Sequence, residues 1–119
     1  MNIIDIISKE RGPLITRIIG DLGPYRSSWL VRDLILNDDH QTLEYVLQSG
    51  VFPLDTILEG GRGLTMLHLA IKHGADRCLS VLMRYGASPK IKDDLDQDGF
   101  TSADVYDNTQ ALLTFSRFQ

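Results

Sequence analysis

Residues 63–89 read GLTMLHLAIKHGADRCLSVLMRYGASP, and this stretch decides the fold. Leu67, Ala70 and Ile71 recur at helical spacing until Gly74 interrupts them. A second helix follows, with Cys78, Leu79, Leu82 and Met83 on one face and Gly86 as its C-terminal stop. Thr65 stands where a hydroxyl caps the first helix, and Asp76 where a carboxylate starts the second. The unit is therefore helix, tight turn, helix, extended loop. Each helix carries an apolar stripe too large to leave wet, so each unit needs a neighbour on both sides.

Such neighbours are visible in the sequence. Shifted by 36 positions, TLEYVLQSGVFP (42–53) falls on CLSVLMRYGASP (78–89), pairing Gly50 with Gly86 and Pro53 with Pro89. Gly63 and Gly99 are also 36 apart, and each is followed by x-Thr. Self-similarity at this period points to stacked repeats.

The run Gly63-x-Thr65-Met66-Leu67-His68-x-Ala70, then Gly74, then Leu82-Met83-x-x-Gly86-Ala87, resembles the ankyrin repeat. Met66 departs from the family's proline, Ile71 from its second alanine, and Ala75 from the usual residue after the turn glycine. The resemblance implies an all-α fold, a short ankyrin-repeat solenoid of stacked helix-turn-helix units with hairpin loops. The best unit covers about 60–92. A degenerate one covers 27–59, with first helix WLVRDLIL (29–36) and second helix 41–48, but without the Thr and His of the motif. A degenerate C-terminal repeat covers 96–119, with its second helix near 111–118. Both inter-repeat loops are three residues longer than the family's period of about 33. Residues 1–26 lie outside the repeat. Apolar residues at 14, 15, 18, 19 and 22 mark a helix face there, with Pro13 at a favoured first position and Gly23-Pro24 ending it. This reads as an N-terminal helical cap covering the first repeat, rather than a membrane-surface helix.

Bulk properties set the partner class. The net charge is −4, which argues against a nucleic-acid binder, and no segment reaches the length of a membrane span. The single Cys78 forms no internal disulfide, and the first residues carry no secretion signal, so a cytoplasmic, intracellular protein is expected.

Chemistry-bearing patterns are few. In DDLDQDG (93–99), Asp94, Asp96 and Asp98 match the first ligands of a calcium loop, with Gly99 at the turn. The twelfth position is Val105 instead of a bidentate acid, and no helix pattern leads in. The repeat register explains Gly99 and Thr101 by position, so the stretch reads mainly as a turn. His68, His73 and Cys78 are spaced by five residues, about 140° apart on a helix, which is poor geometry for zinc. In the family the TxLH histidine orders the turn by hydrogen bonding, which His68 would do. No phosphate loop, G-x-S-x-G or nucleophile pair is present, so no enzyme activity, cofactor or metal is expected.

What the resemblance implies is a protein-binding surface of hairpin tips and first-helix faces. Carried over by position, it includes Arg62, Leu64, Lys72 and His73 from the best repeat, and Gln97, Phe100, Asn108 and Thr109 from the last. Phe100 has two readings, packing group or exposed anchor. Acids at 93, 94, 96, 98, 104 and 107 form a negative patch that solvates the face or steers a basic partner. The expected function is a non-enzymatic protein–protein interaction module, an inhibitor or adaptor of one target protein whose identity is open. A viral or bacterial host-directed factor fits by family analogy. The alternatives are a calcium-responsive switch at Asp94, Asp96 and Asp98, or a self-associating assembly subunit.

Overall fold

The computed structural model describes residues 3–60 and 62–118. Met1, Asn2, Gly61 and Gln119, which fall within the expected units 1–26, 60–92 and 96–119, lie outside the described residues. Among the described residues there are seven helices and no strand: α1 (Ile3–Leu22), α2 (Ser28–Leu36), α3 (His40–Ser49), α4 (Met66–His73), α5 (Asp76–Arg84), α6 (Gly99–Val105) and α7 (Thr109–Arg117). The all-helical expectation is met. Three helix pairs are joined by turns at Asp38, Gly74 and Asp107, each with positive φ (50°, 65° and 53°). Aspartate tolerates this left-handed region better than most side chains, so it replaces the turn glycine twice. First helices pack side by side, α2 on α4 and α4 on α6. Second helices do the same, α3 on α5 and α5 on α7, with α1 laid against α3. Between the rows Leu34, Ile35, Leu43, Met66, Ile71, Cys78, Leu79 and Leu82 are buried in one core.

The register of the last unit differs from the expected one. Asp38 and Gly74 are 36 residues apart, as are Gly50 and Gly86, so the first long loop is real. Gly74 and Asp107, however, are 33 apart, and so are the helix caps Thr65 and Asp98 and the positive-φ pair Gly63 and Asp96. Gly99 is thus three residues out of step with Gly63. Asp98 carries the cap, its Oδ1 accepting from the Thr101 amide at 2.9 Å, so Thr101 is not the capping residue. Gly99 lies inside α6 for a steric reason: a Cβ there would sit 3.0 Å from the Pro89 carbonyl oxygen and 3.3 Å from Leu67 Cδ2. The glycine permits α6 to close against the preceding loop.

Two further expectations are corrected. Pro13 lies inside α1 rather than at its start, and the helix runs from Ile3. Proline removes one main-chain donor, and the helix continues through it along its contact with α3. That contact is narrower than the sequence suggests. Ile15 and Ile19 are buried and Ile18 half-buried, whereas Leu14 and Leu22 are 60% and 42% exposed. Leu22 ends the helix at the Gly23 turn, where the Gly23 amide donates to the Ile19 carbonyl at 2.8 Å. Asp76 does not cap α5, whose N-cap is Ala75 with no side-chain bond. The cap comes from the preceding unit, because Asp38 Oδ1 accepts from the Cys78 amide at 2.9 Å. Asp76 instead places its charge in the first turn, where the helix dipole favours it.

Candidate partner-binding surface

The face is built from the first helices and the hairpins that follow each unit. Within α4 the Thr65 hydroxyl accepts from the His68 amide at 3.4 Å, and His68 Nδ1 accepts from the Thr65 amide at 3.2 Å. The other ring nitrogen, Nε2, lies 2.9 Å from the Gln97 carbonyl. A carbonyl only accepts, so Nε2 carries the proton and His68 ties its helix to the next hairpin. Arg32 stands 36 residues before His68, and like it lies six before the turn residue. Its Nη2 donates to the Glu59 carbonyl at 2.7 Å, while Ser28 Oγ accepts from the Glu59 amide at 3.1 Å. The first unit has lost the histidine and kept the tie.

Adjacent hairpins are also joined to each other. The Asp94 amide donates to the Arg62 carbonyl at 3.0 Å. Gly63, at φ 67°, admits this approach; a Cβ there would meet Asp94 Oδ1 at 2.6 Å. The second hairpin is braced internally, since Asp93 Oδ1 accepts from the amides of Leu95 and Gln97 at 2.9 and 3.0 Å.

Two clefts open on this face. One, of about 380 Å³, is lined by Arg32, Leu36, Leu58, Glu59, Gly60, Arg62, Leu64, Leu69, Lys72 and His73. Its neighbour, of about 300 Å³, shares Arg62, Leu64 and Lys72, and adds Asp93, Asp94, Leu95 and Tyr106. Arg62 and Lys72 make no ion pair among the described residues. Partial burial, then the charges of Lys72 and Arg32, hold His73 below the usual imidazole range. The first cleft is therefore basic and the second is edged with acids. Leu36 and Leu95 add exposed apolar surface, at 49% and 76%.

Of the eight residues expected on this surface, Arg62, Leu64, Lys72 and His73 line one cleft together. The other four lie elsewhere. Asn108 is structural: its Oδ1 caps α7 at the Ala111 amide (3.0 Å), and its Nδ2 donates to the Ile71 carbonyl at 3.0 Å. Phe100 packs on the Phe115 ring, with centroids 4.9 Å apart, and lines a separate hollow with Met83 and Phe118. It is half-buried, and its contact with Phe115 is that of a packing group. Gln97 is half-buried and receives His68 on its carbonyl, and Thr109 is exposed at the start of α7; neither lines these two clefts. Arg32, Leu36, Glu59 and Tyr106 were missed. The one available signal was the position of Arg32 relative to His68.

The acidic loop does not converge as a calcium site would. Asp98 caps α6, Asp96 Oδ1 pairs with Lys92 at 3.4 Å, and Asp94 lies against Gly63. Among the described residues no cluster of three His, Cys, Asp or Glu is placed to hold a metal. Cys78 is fully buried, and that burial, with Asp38 beside it, pushes its thiol far up. No helix among the described residues is long and apolar enough to cross a membrane.

Residues 62–94 match the family model described as the ankyrin repeat. The chain carries an ankyrin repeat. The matched residues hold α4, α5, the capping threonine, the bridging histidine and the αL turn at Gly74. No curated protein and no solved structure matches the chain. Ankyrin repeats are typically non-catalytic interaction modules, and this assignment points the chain toward protein binding.

Proposed function

We propose that the chain is a short ankyrin solenoid that binds one protein partner across its two joined clefts and works by occupancy, as an inhibitor or adaptor. In this reading α1 caps the stack, and the units begin near residues 27, 60 and 96. One observation carries the proposal. Arg62, Leu64 and Lys72 are shared by both clefts, and no side-chain hydrogen bond or ion pair of the described residues uses Arg62 or Lys72. Charged side chains that the fold does not use, beside apolar surface, are the raw material of an interface hot spot. The test is affinity capture from the native source with the intact chain, run beside Arg62→Glu/Lys72→Glu and beside Arg77→Ala on the opposite row. Capture of one protein by the intact chain and by Arg77→Ala, lost with the cleft variant, supports the reading. Equal capture by all three sinks it.

Self-association is a second reading with its own observation. Val105, Leu112, Leu113 and Phe118 on α6 and α7 and just after it are 55%, 41%, 51% and 43% exposed. A concentration-dependent mass in sedimentation equilibrium, abolished by Leu113→Glu, would favour it.

A further inference from the structure

The charge layout of the first cleft deepens that interaction reading and rests on it. We propose that this cleft takes an acidic, apolar segment of the protein partner, with a carboxylate seated among Arg62, Lys72 and His73 and an aliphatic side chain laid on Leu36 and Leu64. The chain as a whole carries −4, yet three of its twelve Lys and Arg residues line this one cleft with a histidine, against Glu59 as the acid among them. Arg32 is already held by the Glu59 carbonyl at 2.7 Å, which leaves Arg62 and Lys72 as the cleft cations without an ion pair among the described residues. A charge-assisted bond from them to a carboxylate is stronger than a neutral one. The apolar part is present as well: Leu36 is 49% exposed and Leu64 is half-buried at the point where the clefts meet.

A nucleic acid does not fit the same layout. Its charge is continuous, and a strand laid along the joined clefts would pass Asp93 and Asp94 as well as the cations. A peptide with one acidic cluster avoids them, and the acidic edge fixes its direction. Every charged or titratable group lining the cleft with His73, namely Lys72, Arg32, Arg62 and Glu59, is already counted in this balance. Burial first, then the charges of Lys72 and Arg32, hold His73 below the usual imidazole range, so the ring is neutral near neutral pH. A bound carboxylate favours its protonation, so binding takes up a proton and tightens on mild acidification.

The experiment is fluorescence anisotropy on the intact chain with labelled Leu/Glu, Leu/Lys and Leu/Ser peptides of equal length, and with labelled oligo-dT. The Leu/Glu peptide should bind at least about tenfold tighter than the others, weaken as salt rises, and tighten on mild acidification. Arg62→Gln and Lys72→Gln should each weaken it several-fold without moving the melting temperature, and His73→Phe should remove the pH dependence. Preference for Leu/Lys or Leu/Ser, with loss in the cleft variants, overturns the charge assignment and leaves the interaction reading standing. Preference for oligo-dT overturns it in favour of a polyanion. Leu/Glu binding that the cleft variants do not change overturns the site. Binding of no probe overturns the inference, and the capture experiment then decides the interaction reading by itself.

Discussion

His68 Nε2 donates to the Gln97 carbonyl at 2.9 Å, joining the first helix of one unit to the hairpin that opens the next. Arg32 makes the corresponding bond to the Glu59 carbonyl at 2.7 Å, one unit earlier. His68 is 2% exposed, whereas the Arg32 bond lies at the surface. Removing a buried partner strands the groups left behind, so His68→Ala should cost about 1–3 kcal/mol. Arg32→Ala, whose carbonyl water can reach, should cost about 0.5–1.5 kcal/mol. Urea denaturation of the two variants gives the ranking directly. A larger loss in Arg32→Ala would contradict it.

Asp98 supplies the α6 cap, and its bond from the Thr101 amide holds its carboxyl below the usual carboxylate range. A depressed folded value means that the contribution is complete above the unfolded value, near ~3.9. It is lost as pH falls through the lower folded value. At neutral pH, Asp98→Ala should destabilise by about 1 kcal/mol. The gap between the two proteins should then narrow in acid below about pH 4. A gap that stays constant into acid would show that the charge has no part in the cap.

Ile19 is fully buried in the contact between α1 and α3, while Leu14 on the same helix is 60% exposed. Ile19→Ala should lose about 2–5 kcal/mol, and Leu14→Ala should stay within about 0.5 kcal/mol. Comparable losses at the two positions would mean that α1 sits on the stack by a different face.

Calcium added to chelator-treated protein should leave the melting temperature within about 1 °C, because Asp98 caps α6, Asp96 pairs with Lys92, and among the described residues no three acids converge. A clear rise that disappears in Asp96→Ala would restore the calcium switch.

Legibility in the sequence followed locality. Thr65, Gly74 and Gly86 act within a few residues of themselves, and helix α2 is legible to within one residue for the same reason. The last unit was misregistered because a Gly-x-Thr match looked like the motif, while the cap itself had become Asp98. Pro13 marks a helix start only where a helix stands alone, and α1 is held along α3 by tertiary packing. Asn108 and Phe100 share the positions of surface residues in the pattern, and only the neighbours of each turn one into a cap and the other into a packing group. The clefts assemble from three first helices and two hairpins. Arg32 and Glu59, far apart in sequence, carry no shared pattern that would announce them.

The most direct test of the interaction surface is amide hydrogen exchange on the chain alone and in complex with a partner that capture identifies. Protection should appear in the hairpins at 58–64 and 92–97, with α3, α5 and α7 unchanged. Protection confined to the second-helix row, with both hairpins exchanging as in the free chain, would contradict the account.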